Sequence, residues 1–238
     1  MLLQSSELPR LLIVFIPQLI LACIFLFIAI KLLKRNQIRP IITLSMFYVF
    51  SATGLIFNAI FLLIAVFIPE NAVLLVSLYF LSFYPILFSP IFIITFIITL
   101  LKLDDVFTLK KQLITVLIYG LITFFVFFTP EGIRFTEEWR PIFSWTLLEV
   151  IFIVFSVFIV IPTIYYSHRL YKTFKDKVLK NKLLTFIIGV IGMLISVYGA
   201  TLYITWQDPN FKSIWSVVTV LIIIPSAIFI YYGIGREL

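Results

Sequence analysis

Long apolar runs, separated by short polar stretches, follow one another seven times along this chain of 238 residues. They are too long for strands and too evenly apolar for the one-sided stripe of a soluble helix. A hydrocarbon core of roughly 30 Å takes about 20 helical residues to cross, and in lipid a helix satisfies its own backbone donors and acceptors. The pattern therefore predicts an all-α polytopic membrane protein, a bundle of seven transmembrane helices. The spans are Leu11–Leu33, Ile41–Ile68, Ala72–Leu101, Leu113–Phe128, Ile142–Tyr166, Leu183–Trp206 and Ser213–Tyr232, the fourth being the shortest. Together they make residues 1–238 a single membrane domain, with no soluble domain expected at either end. The first run reads as a retained helix, because Gln4-Ser5-Ser6-Glu7 lacks the basic flank of a leader and the apolar stretch outruns a leader's length.

Loop charge sets the orientation. In a seven-span layout, fourteen lysines and arginines fall on one side, among them Lys31, Lys34, Arg35, Arg39, Lys102, Lys110 and Lys111, while Arg10, Arg134, Arg140 and Lys212 fall on the other. The basic side belongs in the cytoplasm. Trp139, Trp145, Trp206 and Trp215 all lie toward the opposite surface, where an indole can keep its N–H among headgroups. The two signals agree on an N-terminus outside, a C-terminus inside, and a multi-pass location in the cell membrane.

Composition narrows the function classes. The chain is 63% hydrophobic and 12% charged, against roughly 45–50% and 25% in soluble domains, which excludes a soluble fold. Its one cysteine, Cys23, and one histidine, His168, supply neither a disulfide nor a metal site nor a nucleophile–histidine pair, so no cofactor, metal or enzymatic activity is expected. The net charge of +7 is explained by loops facing anionic lipid, and a nucleic-acid partner is not expected. Retinal has no anchor, because Lys212 stands only at the outer edge of the seventh run.

Among the acids, Glu149 alone lies clearly inside a span, a costly position that marks a functional candidate. Trp145 precedes it by four residues, and Ser156 and Thr163 follow at steps of seven, a polar line that should face the bundle. Gln18, Asn58, Ser82, Tyr198, Thr201 and Thr219 lie at similar depth, so with Glu149 and Trp145 they are candidates to line an outward-facing pocket for a small or lipidic ligand. The alternative is that these residues only hydrogen-bond helices together. The small residues Gly189, Gly192, Ser196 and Gly199 predict a close helix approach on the sixth span, and Pro17, Pro85, Pro90, Pro162 and Pro225 predict kinks.

Between the fifth and sixth runs, Ser167–Lys182 spaces Leu170, Phe174 and Val178 four apart among Arg169, Lys172, Lys175, Lys177 and Lys180. Such a segment suits an extension of the fifth helix, an interfacial helix, or a solvated basic linker; it is also the candidate dock for a cytoplasmic partner or anionic lipid. The outer loop Pro130–Pro141 mixes Glu131, Arg134, Glu137, Glu138 and Arg140, which could rim a ligand entrance or keep the loop in water.

The last run, Leu221 to Leu238, places Pro225-Ser226 within the helix and ends in Tyr232-Gly233-Ile234-Gly235-Arg236-Glu237-Leu238. This resembles the end of the seven-transmembrane sensor region at the N-terminus of prokaryotic histidine kinases, through Pro225, Ser226, Tyr232, Gly233, Ile234, Arg236 and Leu238. The family's signalling domain does not follow here, so the resemblance implies a sensory bundle working through a separate cytoplasmic signalling protein, with no catalytic residue carried over. The expected function is a receptor-like or sensory membrane protein. The competing reading is a small proton- or cation-coupled transporter or transporter subunit using Glu149.

Overall fold

The computed structural model describes residues 14–35, 37–101 and 107–235. Among them are seven helices long and apolar enough to cross a membrane: Ile16–Arg35, Arg39–Phe67, Ala72–Leu100, Leu109–Val126, Trp145–Thr173, Lys177–Thr205 and Pro209–Gly233, hereafter the first to seventh spans. The multi-pass helical architecture is thus as the apolar pattern predicts. The predicted start at Leu11, and Arg236 and Leu238 of the C-terminal motif, lie outside the described residues.

Several ends shift, and the caps show why. The predicted fifth span began at Ile142, but the helix starts at Trp145, where the Ser144 side chain accepts the Leu147 N–H. Pro141–Phe143 is instead strand β2, pairing antiparallel with β1, Ile133–Phe135, in the register Ile133↔Phe143. Asn71, Thr108, Asp176 and Asp208 cap the third, fourth, sixth and seventh spans in the same manner, each satisfying a donor that the first helical turn leaves open. The fifth helix runs on to Thr173 and the sixth begins at Lys177, so Ser167–Lys182 is a continuation of two helices joined by residues 174–176, not a linker. An apolar run measures the membrane, whereas a helix once formed continues into polar sequence until a cap stops it.

The third span is the axis of the bundle. Its most apolar stretch is 83% buried, against 17–44% for the other six. It breaks at Ser89-Pro90, between helices Ala72–Phe88 and Ile91–Leu100. Pro90 has no N–H to offer Ile86 O; the Ser89 hydroxyl donates to that carbonyl at 3.2 Å and accepts from Ser51 Oγ at 2.9 Å. From the fourth span, the buried Tyr119 hydroxyl donates to Leu87 O at 2.9 Å. The break is therefore sealed by neighbouring helices.

Two apolar clusters fill the interior. One, toward the end that carries Arg35, Arg39 and Lys177 (the basic end), gathers Phe25, Leu44, Tyr48, Phe96, Phe186 and Ala227; the Tyr48 hydroxyl there donates to Ala227 O at 2.9 Å and ties the second span to the seventh. The other lies at the tryptophan end, where the β-hairpin folds over the bundle. Phe143 packs edge-on to Phe83 and Tyr79, and Phe135 packs against Tyr79 and Phe61. The hairpin turn holds Trp139 at φ 55°, with its N–H donated to Thr136 O.

The sixth and seventh spans approach closely along the predicted small-residue stripe. A Cβ on Gly189 would lie 2.6 Å from Ser226 O, and one on Gly199 would sit 1.7 Å from the Trp215 ring. Trp215 thus differs from the expectation for a headgroup tryptophan: its Nε1 is buried in that niche and has no partner among the described residues.

Candidate functional site

The residues proposed for an outward-facing pocket do not converge. Glu149 is exposed, in a row with exposed Trp145, Ile153 and Val157, while Leu147, Leu148, Ile151 and Phe155 take the buried face of that helix. The inward orientation expected for Glu149 is corrected accordingly. It stands four residues below the start of the helix, about 6 Å, within reach of the headgroup layer by snorkelling. Ser82 is buried but donates to Tyr79 O, and Thr201 donates to Val197 O and Tyr198 O, so both serve their own helices. Asn58, Gln18 and Thr219 are half-buried; Gln18 Oε1 and Thr219 Oγ1 have no partner among the described residues. At that end of the bundle the hairpin's Phe135 and Phe143 pack on Phe61, Tyr79 and Phe83, none of which belongs to the proposed pocket. Two ion pairs form within the loop, Arg134 with Glu131 and Arg140 with Glu138, on exposed side chains where such pairs contribute little.

Tyr198 leads to a different place. Its hydroxyl shares a hydrogen bond with Ser156 Oγ at 2.5 Å, and its ring is held edge-on by Phe152 and Phe155. Ser156 opens a π-turn, Ser156–Val160, in which the Ile161 N–H reaches back five residues to Ser156 O. The turn precedes Pro162, whose ring and missing N–H disrupt regular α-hydrogen bonding, and the widened turn absorbs that defect while redirecting the helix below it. The redirected part, Ile161–Thr173, leans on the third span.

As a result the fifth and sixth spans are joined at two levels, by Ser156–Tyr198 and by residues 174–176, and part between them. A cleft of about 510 Å³ lies in the gap, lined by Val160, Thr163, Ile164, Ser167, His168 and Tyr171 of the fifth span and by residues from Leu184 to Tyr198 of the sixth. Its size is that of a small-ligand site, roughly 300–1,000 Å³. Its wall is almost wholly apolar, and Ile164, Ile191 and Ile195 on its margin are exposed on the surface that faces lipid. Thr163 is buried there, and its Oγ1 has no partner among the described residues. A separate void of about 10 Å³ beside Leu87, Tyr119 and Thr123 is no larger than one water.

The cleft ends where the basic segment begins. Arg169, Lys172, Lys175 and Lys177 are exposed; Phe174 and Lys180 are half-buried, with Lys180 Nζ 5.3 Å above the centroid of the Tyr171 ring. Leu170 and Leu183 anchor both helices in the interior. Thr163 and Ser156 were legible as a polar line in the sequence. The cleft itself was not, because it depends on the π-turn and the divergence of two helices.

Comparison of the chain with protein-family models, curated proteins and solved structures gives no match. No group of three or more His, Cys, Asp or Glu side chains able to hold a metal occurs among the described residues.

Proposed function

We propose that this protein is a receptor-like, sensory membrane protein that takes a lipidic ligand sideways from the bilayer into the cleft between its fifth and sixth spans. It passes the resulting helix shift to a cytoplasmic partner. The orientation is N-terminus outside and basic end in the cytoplasm, supported by the loop charge and by the exposed Trp145 and Trp206 at the opposite end. The cleft carries the reading: an apolar, ligand-sized space between two helices joined above it by Ser156–Tyr198 and below it by residues 174–176, and bounded by a π-turn, a form of helix irregularity often found at functional sites. The basic segment at its mouth is the output surface. Cation-coupled transport through Glu149 lacks comparable support, since that side chain lies on the outer face of the bundle.

Native mass spectrometry of the full chain in mild detergent tests the binding half. The wild type should retain one adduct of lipid mass, and Ile164→Trp and Ile191→Trp, which fill the cleft from its exposed margin, should lose it while keeping the helical circular dichroism of the wild type. Equal retention in all three, or no adduct in the wild type, would refute it. The sensory half requires that spin labels at His168→Cys and Ile187→Cys, in a Cys23→Ser background, change separation when lipid is removed. An unchanged distance would leave no signal to transmit.

A further inference from the structure

Resting on the cleft as a lipid site, we infer that its occupant is an anionic phospholipid of the leaflet at the basic end, with one acyl chain between the fifth and sixth spans and its phosphate at the His168–Tyr171–Lys180 mouth. The dimensions fit one leaflet. From Val160 to Tyr171 the lining covers eleven helical steps, about 16 Å, or half of a hydrocarbon core of roughly 30 Å. The chemistry changes along that length as a lipid's does. Val160, Ile164, Ile187, Ile191 and Leu194 offer only hydrocarbon; Ser167 lies one turn in from Tyr171, at the depth of ester carbonyls; His168 and Tyr171 stand at the mouth.

Charge selects among phospholipids. Residues 167–182 carry Arg169, Lys172, Lys175, Lys177, Lys180 and Lys182 against the single acid Asp176. That acid is engaged in capping, with Oδ1 accepting the Val178 N–H at 3.0 Å. Lys180 is already drawn toward the mouth by the Tyr171 ring, and basic side chains at this level attract anionic lipid by an amount equivalent to about five-fold in affinity each. A zwitterionic headgroup would bring its own cation against this cluster and forfeit that gain.

The full chain in mild detergent is titrated with phosphatidylglycerol and with phosphatidylcholine of identical acyl chains, and lipid binding is read by native mass spectrometry. Phosphatidylglycerol should bind at least tenfold more tightly. Lys180→Gln combined with Lys177→Gln should bring it to within about two-fold of phosphatidylcholine, whose own binding stays unchanged, and Ile191→Trp or Ile164→Trp should abolish both. Excess inorganic phosphate should not displace the lipid. Equal affinities in the wild type, with both still blocked by the tryptophans, would overturn the anionic assignment and leave the cleft site standing. Binding of both lipids unaffected by either tryptophan would overturn the cleft itself. Displacement by inorganic phosphate would reduce the mouth to an ion site and overturn the lipid assignment.

Discussion

Replacing Gly199 by alanine tests the tightest of the glycine contacts among the described residues. In isolation the change favours the helix by about 1 kcal/mol, because alanine is the better helix former. In place, the added Cβ would meet Trp215 ring atoms at 1.7, 2.1 and 2.3 Å, where carbon atoms settle at roughly 3.5–4.0 Å. About 2 Å of movement is needed, more than a packed ring can yield without changing rotamer, so the indole must leave its niche. Trp215 also stacks on Phe211 at 6.0 Å, which stacks on Trp206 at 4.9 Å, so the displacement runs through three rings. Overpacking of this kind costs about 1–3 kcal/mol, and the top of that range applies; less the helix gain, the net loss is about 2 kcal/mol. Unfolding in mixed detergent micelles, followed by far-ultraviolet circular dichroism, measures it without relying on the tryptophan that moves. Trp215→Leu should relieve the clash, so the double variant should be more stable than the sum of the two single changes implies, by about 1 kcal/mol or more. A Gly199→Ala protein as stable as the wild type, or strict additivity in the double variant, would show that the sixth and seventh spans do not meet at this point.

Three further outcomes follow from the contacts. Gln112→Ala removes the acceptor of Arg39 Nε at 2.7 Å and the donor to Thr43 Oγ1 at 2.9 Å, so it should cost about 1–3 kcal/mol in the same unfolding assay; a loss under 0.5 kcal/mol would contradict the clamp between the second and fourth spans. Ser156→Ala cuts the hydrogen bond at the inner end of the cleft and should speed thiol labelling at Ile191→Cys, measured in a Cys23→Ser background, whereas an unchanged rate would mean that this bond does not hold the helices together. Glu149→Gln should change stability by less than about 0.5 kcal/mol, since the side chain is exposed, and a large loss would place its carboxylate in a buried contact after all.

The candidate site shows how far patterns reach. Ser156, Thr163 and Tyr198 each stand out as polar residues in apolar runs, yet depth along the sequence places Tyr198 in an outer pocket with Glu149. A seven-residue step keeps residues on nearly one face of a regular helix, drifting only about 20°, but it does not say which face the bundle covers. In water, hydrophobicity would answer that question. In lipid it does not, because the tails outside are as apolar as the core inside, and buried Ile93 and exposed Ile153 are equally acceptable residues.

By itself the sequence determined the seven spans and the basic segment, because the cost of an unpaired backbone in lipid leaves a long apolar run no alternative to a helix. It also determined the glycine stripe of the sixth span, since only the smallest side chains admit a neighbouring helix at that distance. The third span as the axis, the hairpin plug over the tryptophan end, the outward turn of Glu149, and the cleft below the Ser156–Val160 turn were decided by tertiary structure alone. Each depends on which helices meet and where one of them departs from α geometry, and those are relations between segments that no single segment encodes.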